Sequence, residues 1–420
     1  MTQKNIVIAG GGIAGIELAT RLSKALRRSA HQIHLIDKSQ LHTWKPMLHM
    51  FAAGATTPQE QGISFVNHAK SHHIQYHPGQ VARIDRANKT LTLSPFDSPL
   101  GLNILPERTL PYDYLILCLG SCANDYGTPG IKEHAHTIDD LKQATDFFDK
   151  LTAITMKAAI NKQKYPIVVV GAGPTGVELC GEMMRFLENA SAYTDEPLTR
   201  YVDITLIQGD TRILPTFTED VSHHAQLALE KLGVRVILNQ NVTSVSADAL
   251  TLSNGDTLDA YQTVWTAGVK APALMSQIDG VELTRTQQLV VNDYFQATTD
   301  PTLFAIGDCS SMKSTPLPPT AQVARQQAIY LSDYFLDIIL GQVPKKSFHY
   351  KDNGSLVTVG RYASFGVFGG TSRLKGRSFK GMAASVAHIS LYRLHQMAIL
   401  GFWRSAAAWW SEKLNQLAKR

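Results

Sequence analysis

Cysteine is scarce. Only Cys118, Cys122, Cys180 and Cys309 occur in a chain of 420 residues. Four thiols so spaced make neither a disulfide framework nor a metal-ligand set, so no metal is expected and a reducing compartment fits. No apolar run reaches the roughly 18 uncharged residues that a spanning helix needs, which argues against a transmembrane segment and against an ion pathway. Met1 leads almost at once into an apolar strand, Asn5 to Ala9, so no signal peptide is expected. Acid is nearly missing from residues 373–420, where nine basic side chains accompany one acid, Glu412. That stretch carries +8 while the whole chain carries +5, which leaves −3 for everything before it. Apolar residues make up 44% of the chain and charged residues 18%, ample for burial, and the length suits two or three domains.

The chain contains one unit twice. Asn5 to Ala9 is rich in Ile and Val and reads as a buried parallel strand. Gly10-Gly11-Gly12-Ile13-Ala14-Gly15 follows, then a helical stretch from Ile16 to Leu26 and a second strand, Gln32 to Ile36, ending at Asp37. Glycines let the backbone turn tightly and approach a pyrophosphate, whose charge the helix N-terminus favours, and Asp37 can accept hydrogen bonds from a ribose diol. The second copy starts with Pro166 to Val170, continues through Gly171-Ala172-Gly173-Pro174-Thr175-Gly176 and enters a helix carrying Glu178. Two such units predict two bound dinucleotides.

Tyr112 to Leu119 reads as a strand ending at Gly120-Ser121, and Thr302 to Ile306 as one ending at Gly307-Asp308. A carboxylate at the latter strand end can hydrogen-bond the ribityl chain of FAD. Thr263 to Thr266, followed by Ala267-Gly268, marks a crossing between domains. Arg235 to Leu238 and Ala249 to Leu258, with an Asn254-Gly255 hairpin turn, read as strands, and residues 187–200 as an exposed insertion. The expected fold is α/β, with two Rossmann-like dinucleotide-binding domains, the second inserted in the first. The expected divisions are residues 1–125 and 295–372 for the FAD-binding domain, 126–294 for the NAD(P)H-binding domain and 373–420 for a C-terminal membrane-anchoring region. In that region Met382, Val386, Ile389, Met397, Leu400 and Phe402 recur at near-helical spacing, and a second helix from about Ser405 to Leu417 carries Trp409 and Trp410. Basic residues among apolar stretches and a tryptophan cluster suit a lipid bilayer surface better than nucleic acid.

These residues resemble the type II NADH dehydrogenases, single-subunit flavoenzymes that reduce membrane quinone. The likeness rests on His42-Thr43-Trp44-Lys45-Pro46-Met47-Leu48, on 119–130 (LGSCANDYGTPG), on Thr175-Gly176-Val177-Glu178-Leu179, on 321–327 (AQVARQQ) and on 354–361 (GSLVTVGR). The resemblance implies FAD held by Gly10, Gly12, Ala14, Gly15, Asp37, Lys45, Val81, Gly120, Asp308, Ala321, Gln322 and Lys380. It implies NADH held by Gly171, Gly173, Gly176, Gln208 and Gly268, and a catalytic role for Glu178 in nicotinamide positioning or proton supply. Gln322 and Gln326, four apart on one helix face, would offer amides to quinone carbonyls. A homodimer and a peripheral, monotopic location on the cytoplasmic face of the cell membrane are likewise implied.

The chain departs from the family at Gln208, where the second nucleotide domain usually carries the Glu that holds the NADH ribose. NADPH use is therefore open. Ala383, Ala384 and Tyr392 replace the family's early C-terminal tryptophans. Disulfide reductases need a cysteine pair in 38–60, which contains none. Two alternatives stay open: a related NAD(P)H:quinone reductase acting on a biosynthetic naphthoquinone, and a flavoprotein that senses NADH without turnover. His395 reads as structural.

Overall fold

The computed structural model describes residues 3–97, 101–370 and 372–418; the basic residues Lys419 and Arg420 lie outside the described residues. Each glycine turn follows a strand that has parallel neighbours on both sides. Asn5–Ala9 lies between Gln32–Asp37 and Tyr114–Leu117, parallel to both, and Asp300–Ala305 extends the row beyond Tyr114–Leu117. Ile6, Val7 and Ile8 are fully buried, as an Ile/Val run covered on both faces requires. In the second sheet Ile167–Val170 lies between Ile204–Ile207 and Gln262–Trp265, all parallel, with Ala135–Thr137 and Arg235–Ile237 at the edges. The eight-stranded sheet draws its strands from both ends of the chain and the five-stranded sheet from the middle, so the second domain is inserted in the first. Val242–Val245, Ala249–Leu252 and Thr257–Asp259 form an antiparallel sheet beside it, with the hairpin at Asn254-Gly255.

Three details differ from the sequence reading. Leu289–Val291 already pairs with Ser310–Met312 in the first sheet, so the chain returns to that domain before residue 295. Ser378–Lys380 pairs with Ala363–Phe368, which puts residue 373 inside an antiparallel layer of three strands rather than at the start of the tail. Three-residue strands carry too little periodicity to be seen in sequence. Residues 187–200 are not simply an exposed insertion: the helix Pro174–Ala190 runs into them, and Leu187 and Leu198 are buried.

The terminal helices, Met382–Leu400 and Phe402–Ala418, meet at Gly401. The first carries apolar side chains outward as well as inward. His395, Gln396 and Ile399 point into the protein, while Met382 is 84% exposed and Val386 and Ile389 more than half exposed. Trp403 is 82% exposed and Trp410 61%. No helix among the described residues is long and apolar enough to cross a membrane.

Candidate active site

One cleft joins both glycine turns, the start of the helix Ala321–Ile339 and the terminal helices. Its volume is 2920 Å³, several times the few hundred to about 1,000 Å³ usual for a single small ligand. The glycine turns explain its two lobes. A Cβ on Gly15 would lie 1.8 Å from Gly10 O, and one on Gly176 would lie 2.0 Å from Gly171 O, so these glycines are required by packing inside the turn. A Cβ on Gly12 or Gly173 would meet no atom within 4 Å; both face the open cleft. Neither helix has a side-chain cap, so first-turn N–H groups remain for an anion. The duplication thus extends to the division of labour among glycines, and each lobe fits one pyrophosphate.

The strand-end residues also correspond. Asp37 Oδ2 accepts from Gly11 N at 2.6 Å and Oδ1 from Ser39 N at 2.7 Å; burial pushes its carboxyl up against these bonds. Gln208 Oε1 accepts from Ala172 N at 2.8 Å, the same contact made with an amide. On the other wall of the first lobe Lys45 Nζ donates to Ser121 O at 2.6 Å, and Ser121 Oγ donates to Asp308 Oδ2 at 2.8 Å. This chain ties the segment after Asp37 to both strand ends, and Gln327 Oε1 fixes the Gly307 N–H at 2.6 Å.

Glu178 is set by a close helix–strand approach. A Cβ on Gly181, one helical turn further on, would lie 2.6 Å from Gly360 N, so only glycine lets the helix press on Gly354–Val359. That contact lets Thr358 N donate to Glu178 Oε1 at 3.0 Å. His49 Nδ1 lies 3.3 Å from Glu178 Oε2, and His388 Nε2, from the first terminal helix, lies 3.9 Å from Oε1. Burial pushes the Glu178 carboxyl up to about 8, opposed by the Thr358 bonds and helped by Glu182. Burial, with His388 and Arg185 adding to it, pushes His49 down to about 3. Burial also lowers His388.

Gly12, Ala14, Lys45, Gly120, Asp308, Ala321, Gln322, Gln326, Glu178, Gly171, Gly173, Gln208 and Gly268 line this cleft. Gly10, Gly15, Gly176 and Asp37 stand behind its wall, within the turns. Val81 is buried at the start of the strand Val81–Asp85, and Lys380 is exposed at the end of Ser378–Lys380; neither lines the cleft. Both glutamine amides are engaged: Gln322 Oε1 accepts from Asn353 N at 2.7 Å, and Gln326 exchanges two bonds with Lys351 at 2.8 and 2.9 Å. His395 is buried, 3.0 Å from His42, with its ring tilted against Trp44 at a centroid distance of 4.3 Å. Sequence reasoning missed Ser121, His49, His388 and Thr358. None of the four carried a signal of its own in the sequence; His388 shares its helix with His395, Arg393 and Gln396.

Two nucleotide domains, one nested in the other and sharing a cleft, define a two-dinucleotide flavoprotein fold. The chain matches the pyridine nucleotide-disulphide oxidoreductase family over residues 4–328. It is 34% identical to a type II NADH:quinone oxidoreductase of Haemophilus influenzae, over 99% of this chain and 98% of that one. It is 28% identical to one from Staphylococcus aureus over 87% and 90% of the two chains. The chain therefore belongs to the pyridine nucleotide-disulphide oxidoreductase family and, within it, to the type II NADH:quinone oxidoreductases. Among solved structures, NDH2 from Plasmodium falciparum in complex with NADH superposes with a TM-score of 0.82 at 19% identity, covering 98% of this chain and 97% of that one. A sulfide:quinone oxidoreductase from Aquifex aeolicus reaches 0.74 at 17% identity, covering 95% and 92%. The fold does not separate these two. All four cysteines are free, and Cys118, Cys180 and Cys309 are buried.

Proposed function

We propose that this chain oxidises NADH and reduces a membrane quinone, in the balance NADH + H⁺ + quinone giving NAD⁺ + quinol. The single observation that carries this reading is the continuous cleft, which runs from two glycine turns past Glu178 to helices with outward-facing apolar side chains. The open faces at Gly12 and Gly173, with uncapped helix starts behind them, support FAD in the first lobe and NADH in the second. Lys45, Ser121 and Asp308 would orient the ribityl and isoalloxazine end of the FAD, and Gly120 and Ala321 would close on it. When bound, FAD accepts and passes on the electron pair.

The remaining work belongs to the protein. Glu178, neutral up to about pH 8, holds a proton at the point where the two lobes and the Gly354–Val359 strand meet. His49 and His388, both pushed toward the neutral form, leave that proton on the carboxyl. Gln322 and Gln326 hold segment 351–354 against the quinone helix, so their part in quinone binding includes shaping the wall. The outward Met382, Val386 and Ile389 and the exposed Trp403 and Trp410 support a monotopic seat on a lipid surface, reached from the cytoplasmic side where NADH is made. The reading includes a homodimer and no proton pumping.

The test is direct. Purified protein should be yellow, oxidise NADH only with a quinone acceptor, sediment with anionic vesicles and form no proton gradient in proteoliposomes. NADH consumption that passes no electrons to any quinone would replace this reading with the sensor.

A further inference from the structure

The structure assigns nucleotide selectivity to Asp210, acting with Gln208 as a split replacement for a single strand-end carboxylate; the inference rests on the second lobe being the NADH site. Gln208 Oε1 is occupied by Ala172 N at 2.8 Å, so its Nε2 points away from the turn and donates to Asp210 Oδ2 at 2.6 Å. Asp37, the equivalent residue of the first domain, makes the turn contact and supplies the negative charge with one side chain. In the second domain the amide makes the turn contact and the charge sits two residues later. The segment is held in place: Asn239 N donates to Asp210 O at 3.0 Å, Gln240 N donates to Gln208 O at 3.2 Å, and a Cβ on Gly209 would strike Asn241 Oδ1 at 2.2 Å. Gln208, Gly209 and Asp210 all line the cleft. Among the described residues Asp210 Oδ1 has no hydrogen-bond partner, which leaves it for a ribose hydroxyl.

Among the described residues that line the cleft, no arginine stands ready for a 2′-phosphate. Arg212, the basic residue nearest in sequence, turns its guanidinium onto Leu214 O, Phe217 O and Pro215 O. The arginines that line the cleft, Arg185, Arg325 and Arg393, are each paired with a glutamate, Glu182, Glu17 and Glu412 respectively. A 2′-phosphate would meet a carboxylate and, among the described residues of the cleft, no unpaired arginine, so NADH is favoured in spite of Gln208.

The test compares kcat/KM for NADH and NADPH in the FAD-loaded full chain with a soluble quinone analogue. Dissociation constants for both nucleotides are read in parallel from quenching of tryptophan fluorescence, for which Trp265 in the cleft wall is placed. Wild type should favour NADH at least about tenfold. Asp210→Asn should cut that ratio about tenfold, mainly through a lower KM and Kd for NADPH. Adding Gln208→Glu to Asp210→Asn should restore the preference. An unchanged ratio in Asp210→Asn, or a wild type indifferent to the 2′-phosphate, overturns the assignment. Should no variant pass electrons to quinone, the proposed function fails, while the two dissociation constants still decide the role of Asp210.

Discussion

His49 Nδ1 lies 3.3 Å from Glu178 Oε2 on the floor of the cleft, a contact between an acid and a base that are both driven neutral. The carboxyl pKa is raised to about 8, so in the folded state it keeps its proton across neutral pH. If that proton serves quinone reduction, kcat should be level from about pH 6 to 7.5 and fall above about pH 8. Glu178→Gln should lower kcat at pH 7 by about 10²-fold, the size of a general acid's contribution, and remove the alkaline limb. A Gln variant that keeps both the rate and the limb would leave Glu178 a purely structural residue.

The same pair predicts how stability depends on pH. Glu178 has a folded pKa raised from 4.5 to about 8, so its contribution is full below about 4.5 and is lost as pH rises through 8. His49 has a folded pKa lowered from 6.5 to about 3, so its contribution is full above about 6.5 and is lost as pH falls toward 3. Thermal unfolding followed at pH 6 and pH 9 should show Glu178→Gln less sensitive to the alkaline shift than wild type. Equal losses of Tm in both would contradict a proton held by Glu178.

The glycines of the first turn separate folding from cofactor retention. Gly15→Ala places a methyl group 1.8 Å from Gly10 O, a backbone atom that cannot swing aside, and should cost about 1–3 kcal/mol of stability. Gly12→Ala meets nothing in the protein, and should alter stability by no more than about 0.5 kcal/mol while weakening FAD binding. Circular dichroism melts and flavin absorbance per chain measure the two effects. A Gly12→Ala protein that stays fully yellow after dialysis would show that the pyrophosphate does not approach that face.

Attachment to lipid should depend on the outward apolar side chains. Burying a large apolar side chain is worth about 1.5–3 kcal/mol, so Trp403→Ser with Trp410→Ser should weaken binding to phosphatidylserine vesicles by at least tenfold. Co-sedimentation in low and high salt separates this term from the basic residues, each worth about 1 kcal/mol near an anionic surface. Unaltered partition in the double variant would point to those outward faces packing against a second copy of the chain instead.

Much of this was legible in the amino-acid order, for physical reasons. The parallel strands at the heart of each nucleotide domain announce themselves because strands buried on both faces read as unbroken Ile and Val, as in 6–8 and 167–170. The glycine turns are visible because their spacing follows from contacts within six residues. Asp308, Lys45 and Glu178 carry a local signal, but their partners do not: Ser121 and Thr358 are 187 and 180 residues away from Asp308 and Glu178. Thr358 reaches Glu178 because Gly181 lets one helix press on a distant strand, and His49 reaches it because the short helix Leu48–Ala52 packs on the same helix. Gln208 looked like a lost carboxylate because the turn contact and the charge were assumed to need one residue. On the assignment proposed above they are divided between Gln208 and Asp210, which share a hydrogen bond.

The paired amides at the start of the helix Ala321–Ile339 give the last prediction. Gln322 and Gln326 were expected to address quinone carbonyls, and both line the cleft, yet each also fastens backbone at 351–354. Gln326→Ala removes two half-exposed hydrogen bonds, a loss of about 1 kcal/mol, and frees that segment at Lys351. Gln322→Ala frees it at Asn353 and also removes the amide nearer the helix start. If the amides act by shaping the wall, both variants should raise KM for quinone several-fold, and the double variant no more than the sum of the two in free energy. If Gln322 also binds the carbonyl, its variant should lower kcat as well as raise KM. Steady-state rates against quinone concentration, at saturating NADH, distinguish the two. An unchanged KM in both variants would mean that quinone does not enter along this helix.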